Sequence, residues 1–153
     1  MEKNNDFAFL VGEWDSRQRR LVKVLDGCEE WYEFDATLRC QLALDGNGVF
    51  DVLSCPERDM EGVTLRLYDD KEQVWRIWWA SKISGGKLDE PVVGGFVGDV
   101  GTFECDDVWE GTPIRVRYRW SETSTETPKW DQAFSTDGGQ TWETNWVATF
   151  TRR

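Results

Sequence analysis

Histidine is absent from the 153-residue sequence. Its absence removes Ser-His-Asp and Cys-His catalysis, histidine-ligated metals and the commonest general base at neutral pH. Cysteine is sparse: Cys28, Cys40, Cys55 and Cys105 lie far apart with no C-x-x-C, a spacing that suits neither zinc nor a redox pair. They read as reduced, small core residues of a cytoplasmic protein, with a Cys28–Cys40 disulfide as the alternative. Long apolar runs are also missing, and Met1 to Asp6 holds no basic segment leading into an apolar stretch, so neither a signal peptide nor a spanning helix is expected. Basic residues number 18 against 29 acidic ones, a net charge of −11 with no basic block to offset it. Nucleic acid and anionic membranes are therefore disfavoured as partners. The chain has no Walker loop and no G-x-G-x-x-G, and Asp45-Gly46-Asn47-Gly48 lacks the later ligands of an EF-hand. Neither a cofactor nor a metal is expected.

What the sequence does hold is tryptophan and phenylalanine, ten and eight respectively, among many valines and threonines, while alanine is scarce and helical periodicity nearly absent. The chain reads as all-β, and its length suits one domain over residues 1–153. Asp6 to Gly12 alone reads as a short helical turn, with Asp6 as N-cap and Phe7, Phe9 and Leu10 as apolar contacts that plug or cover something. Strands follow at short, even spacing: Gly12 to Val24, Cys28 to Leu42, Val49 to Cys55, Val63 to Tyr68, Val74 to Lys82, Thr102 to Trp109, Ile114 to Trp120, Lys129 to Ser135 and Thr141 to Thr151. The Gly-rich stretch Pro91 to Gly101 needs bends or bulges to pair as a tenth. Tyr32, Phe34, Ala36, Leu38 and Cys40 alternate with polar residues, as one wet and one apolar face require. Arg115, Arg117 and Arg119 read as a solvated outer row. Nine or ten antiparallel strands joined in sequence favour an up-and-down barrel, because closure removes aggregation-prone edges. A two-sheet sandwich is the alternative.

Phe9-Leu10-Val11-Gly12-Glu13-Trp14 resembles the opening of the lipocalin, or calycin, superfamily: a short helical turn, then Gly-x-Trp on the first strand. That resemblance implies that Trp14 packs at the closed end of the barrel beneath a basic residue of the last strand. Arg152 shares a period-two face with Phe150, Ala148, Trp146 and Trp142 and is the candidate. The superfamily's second motif, around Thr-Asp-Tyr, is missing. The pattern Trp130-Asp131-Gln132-Ala133-Phe134-Ser135 running into Trp142-Glu143-Thr144-Asn145-Trp146 is similar to uncharacterised lipocalin-like proteins of bacteria, which implies a fold and no established activity. Ser135-Thr136-Asp137-Gly138-Gly139-Gln140-Thr141-Trp142 matches the Asp-box of sialidases and other propellers. Its physics is local: Ser and Asp side chains bond turn backbone, glycines such as Gly139 permit positive φ, and the Trp packs beneath the hairpin.

Ten tryptophans are too many to spend on closing one end of a barrel, so some should line a cavity. If Trp14 points inward, so do Ser16, Gln18 and Arg20, unless a bulge or exposure at the rim intervenes. An inward arginine must meet a carboxylate, a ligand anion or water. The candidate ligand residues are Arg20, Tyr32, Trp79, Tyr118, Trp120, Trp130, Gln132 and Trp146; Gly12, Trp14, Asp137, Gly139, Trp142 and Arg152 are structural. The leading reading is a carrier or sensor of a small apolar or aromatic molecule. A cofactor-free isomerase, cyclase or hydrolase using an inward carboxylate or Tyr is a second, and a homo-oligomeric interaction module with a filled core a third; a homodimer stays open.

Overall fold

A computed structural model describes residues 3–153. Met1 and Glu2, where the reading of a missing leader begins, lie outside them. The described residues form ten antiparallel strands: β1 (Gly12–Leu21), β2 (Trp31–Ala43), β3 (Gly48–Cys55), β4 (Met60–Asp69), β5 (Val74–Ser81), β6 (Val92–Val97), β7 (Val100–Trp109), β8 (Thr112–Ser121), β9 (Lys129–Ser135) and β10 (Glu143–Arg152). Each strand pairs with its neighbours in sequence, and β1 pairs with β10, so the sheet closes into a barrel. Closure settles the choice against a sandwich. No helix of the described residues is long and apolar enough to cross a membrane.

Two ends follow from the strand directions. At one end the 3-10 turn Ala8–Leu10 enters the barrel as a plug, with Phe7 and Leu10 wholly buried. Phe7 packs edge-on against Trp75 (ring centroids 4.9 Å apart) and Phe96 (5.0 Å), a geometry that places ring edges on ring faces. Asp6 is not the expected N-cap; its carboxylate instead accepts a 2.9 Å hydrogen bond from the Trp75 indole, which anchors the plug to β5. The other end carries the β2–β1 loop 22–30, the 3-10 turn Pro56–Arg58 and the loop 82–91. The β1 and β2 expectations were too long at this end. Without a two-residue turn to fix the register, the chain leaves the sheet at Leu21 and returns at Trp31, which puts Cys28 in a loop and not in the core. Cys40 and Cys55 are buried as expected, and all four thiols are free.

Parity fails once where it matters. A register shift between Thr144 and Trp146 inserts an extra residue into β10, so Trp142 leaves the inward face it was expected to share with Trp146. Its ring lies under the outward guanidinium of Arg117, 4.4 Å away. The remaining outer arginines behave as a solvated row: Arg115 pairs with Glu104 and Asp106, and Arg119 with Asp131.

The Ser135–Thr141 turn adopts the local bonding its motif requires. Asp137 accepts from the Thr141 hydroxyl and N–H, from the Ser135 hydroxyl at 2.7 Å and from the Gln140 N–H at 3.0 Å. These donors, those of Thr141 first, hold its carboxyl well below the usual carboxylate range. A depressed native pKa contributes stability above the unfolded value of about 4, and that contribution is lost as pH falls through the native pKa. Asp137→Asn is therefore expected to melt below the native protein at pH 7, with the gap narrowing in acid; thermal melts across pH check this.

Candidate ligand site

The inward faces of the strands place two adjoining spaces toward the end of the barrel opposite the plug. The inner one, about 60 Å³, has aromatic walls from Trp79, Trp120, Trp130 and Trp146 with Tyr118 beside them. The outer one, about 330 Å³, opens at the mouth between Arg20, Tyr32, Phe34, Arg58 and Lys82. Trp79 and Trp146 belong to both. Their rings meet edge to face at 5.9 Å and form the partition between mouth and interior.

Each partition ring is held by something specific. The Trp146 indole donates to Gln18 Oε1 at 2.6 Å, Gln18 Nε2 donates to Ser16 Oγ at 2.7 Å, and Ser16 donates to the Thr149 carbonyl at 2.9 Å. This relay satisfies an indole N–H that burial would otherwise leave costly, and it fixes the plane of the ring. Trp130 packs edge-on to Trp146 at 5.2 Å, and Tyr118 to Trp130 at the same distance. Burial pushes the Tyr118 phenol above its ordinary range, with Asp89 adding to the effect. The Trp79 ring lies over Gly62: a Cβ there would sit 2.0 Å from Trp79 Cη2. Gly62→Ala is expected to drive Trp79 off β4, changing the near-ultraviolet circular dichroism of the indoles while the far-ultraviolet spectrum of the barrel is retained.

Polar groups collect at the floor and at the rim. At the floor, Arg66 and Asp51 form a buried ion pair of 2.7 Å, with side chains 5% and 3% exposed; Thr64 and Gln18 join them in lining the inner space. Arg66 also lies 5.0 Å over Phe7, so it links the cavity floor to the plug, and its Nε has no protein partner. At the rim, Arg20 stacks 4.3 Å over Trp146, and Arg58 stacks 4.3 Å over Tyr32. Lys82 pairs with Asp59 at 2.6 Å. No cluster of three metal-ligating side chains occurs among the described residues.

Seven of the eight sequence-derived ligand candidates thus line the two spaces: Arg20 and Tyr32 at the mouth, Tyr118, Trp120 and Trp130 inside, Trp79 and Trp146 in both. Gln132 lines neither, because its amide donates at 2.9 Å to Asn145, the extra residue of the β10 bulge. Sequence reasoning missed Asp51, Arg66 and Arg58. Asp51 shares parity with Val49 and Leu53, a usable signal. Arg66 gave a misleading one, since Val63, Leu65 and Leu67 look like the inward face of β4 and in fact point outward, leaving Thr64 and Arg66 inside.

At the closed end, Trp14 is 2% exposed and Arg152 lies 4.1 Å over its ring. No family model and no curated protein matches the sequence. Among solved structures, that of the S-type phycobiliprotein lyase from Guillardia theta is similar, with a TM-score of 0.58 and 12% identity over 100% of this chain and 93% of that one. At that identity the likeness is one of architecture, and together with the closed ten-strand topology it gives the chain a lipocalin-like barrel fold.

Proposed function

We propose that the protein binds one small, largely aromatic molecule at the mouth of the barrel, as a carrier or sensor. The observation that carries this reading is the 330 Å³ mouth, whose walls are aromatic and whose inner wall, Trp79 against Trp146, adjoins a second cavity. Its volume lies at the lower end of the usual range for small-molecule sites, and it combines apolar walls with a few convergent polar groups. A barrel shared with a phycobiliprotein lyase fits a small-ligand role. An acid–base enzyme is less well supported: each carboxylate lining the two spaces is tied to a cation, Asp51 to Arg66 and Asp59 to Lys82. The test is a fluorescence titration with the neutral dye N-phenyl-1-naphthylamine. Saturable binding at one site, abolished by Ser81→Trp at the half-exposed rim, is expected; binding that ignores this substitution would place the dye elsewhere and defeat the proposal.

One observation favours a second reading, self-association. On the outer faces of β3 to β5, Phe50 lies opposite Leu65 and Leu65 opposite Trp78, while Val52, Val63 and Ala80 form the next row. Neither row holds a charge, and Phe50 is 39% exposed. Two copies each carrying −11 repel except where an uncharged face meets its own copy, so a symmetric dimer is the occupant this face fits. Light scattering should show a dimer that Leu65→Glu converts to monomer. A monomeric native protein removes this reading.

A further inference from the structure

Arginine in this protein is, as a rule, spoken for. Arg17, Arg19, Arg39, Arg66, Arg76, Arg115, Arg119 and Arg153 each pair with a carboxylate. Acids outnumber bases by 29 to 18, so a partner is close at hand for almost any cation. Four depart from the rule: among the described residues Arg20, Arg58, Arg117 and Arg152 pair with no carboxylate, and each lies over an aromatic ring. Arg152 is spent on the Val11 and Phe9 carbonyls and Arg117 covers Trp142 on the outer face, which leaves Arg20 and Arg58 as the unpaired cations of the mouth. A guanidinium held by its face keeps its N–H edge for acceptors lying in its plane.

The two are brought to one place by the fold. Arg20 on β1 sits directly opposite Tyr32 on β2, and Arg58, from the turn between β3 and β4, lies over that same Tyr32 ring and 5.5 Å from Phe34. Both line the mouth pocket. The third cation there, Lys82, is offset by Asp59, so three positive side chains against one negative leave the pocket at +2 in a chain of −11. Such a local reversal of sign draws anions to the mouth and repels them elsewhere.

We infer that the ligand is an aromatic carboxylate, its ring lying against Trp79 and Trp146 and its carboxylate bridging the free edges of Arg20 and Arg58. This rests on the reading of the barrel as a small-molecule site and adds its chemical class. Two guanidiniums at one mouth, Arg20 over Trp146 and Arg58 over Tyr32, suit a planar, two-oxygen acceptor, and the aromatic walls suit a flat body on a short stem. A neutral ligand would leave both N–H edges to water and gain nothing from the +2 field.

The experiment is isothermal titration calorimetry with two matched pairs: 2-naphthoate against 2-naphthamide, and indole-3-acetate against indole-3-acetamide. The acids are expected to bind roughly ten-fold or more tightly than their amides, the order of a charge-assisted hydrogen bond. Arg20→Gln and Arg58→Gln should each erode that preference, and the double variant should bring acid and amide within about two-fold of each other. Arg58→Lys should retain part of it. Circular dichroism establishes that each variant is folded. Acid and amide binding equally to the native protein, or a preference that survives the double variant, would overturn the inference and leave the small-molecule site standing. Saturable binding of no probe, acid or amide, would overturn both.

Discussion

Arg66→Met is expected to destabilise the protein by about 3–5 kcal/mol, the usual cost of stranding one member of a buried ion pair. The Arg66 guanidinium meets Asp51 at 2.7 Å within the barrel, both side chains almost wholly out of water. Removing the cation leaves the Asp51 carboxylate facing Thr64, Ile77 and the tryptophans, none of which can neutralise it. Asp51→Leu should cost a similar amount by stranding Arg66. The double variant is expected to be more stable than either single one, because the desolvation of two charges is then no longer required. Urea unfolding of the four proteins closes the cycle. Added salt should change the native protein's stability little through this pair, since buried charges are poorly screened. Single variants within about 1 kcal/mol of native would show that the pair is hydrated and the interior wetter than the structure has it. The pair also bears on function: it gives the cavity floor a fixed polar end beneath the aromatic walls, so the interior is not uniformly apolar.

The pattern of inward and outward residues was legible wherever one face of a strand is apolar and the other wet. On β2 and β8 the alternation is clean, so Tyr32, Tyr118 and Trp120 could be placed inside from the sequence, and β1 carried Arg20 to the mouth from Trp14 by counting in twos. On β3 to β5 both faces are apolar, and period two then states that residues alternate without stating which set is inside. Arg66 was lost for that reason. Trp142 was misplaced because a single extra residue at Asn145 resets the count on β10, and a bulge has no reliable signature in one sequence. Gln132 does sit opposite the inward Tyr118 and Trp146, but its amide is taken up by Asn145. Arg58 belongs to a turn, where periodicity says nothing. Its role emerges only when the β3–β4 connection folds over Tyr32.

Trp14→Ala is expected to cost about 3–5 kcal/mol, the range for removing a buried aromatic side chain that leaves a cavity behind. The reason lies in how the closed end is held. The Trp14 indole donates to the Leu10 carbonyl at 2.9 Å, so the ring on β1 grips the plug. From the last strand, Arg152 covers the ring and donates to the carbonyls of Val11 at 2.6 Å and Phe9 at 3.1 Å. Gly12 makes room for this reach. Its φ of +115° is one that side chains rarely adopt, and a Cβ there would stand 2.8 Å from the Arg152 guanidinium. The three residues therefore act as one clamp joining the N-terminal turn to both strands of the barrel's closing seam. Arg152 is exposed, so its own truncation should cost less, about 1 kcal/mol from the ring contact. Arg152→Lys should recover the charge but not both carbonyl bonds, because an ammonium is a compact donor without the guanidinium's fork. Gly12→Ala should resemble Arg152→Ala with added backbone strain. Urea unfolding ranks the variants, and hydrogen exchange at the Leu10 N–H, which bonds the Phe7 carbonyl, reports on the plug directly. If the Trp14 and Arg152 effects simply add, the two side chains stabilise the end of the barrel independently. Coupling between them, with faster exchange at Leu10 in each single variant, is what a clamp requires.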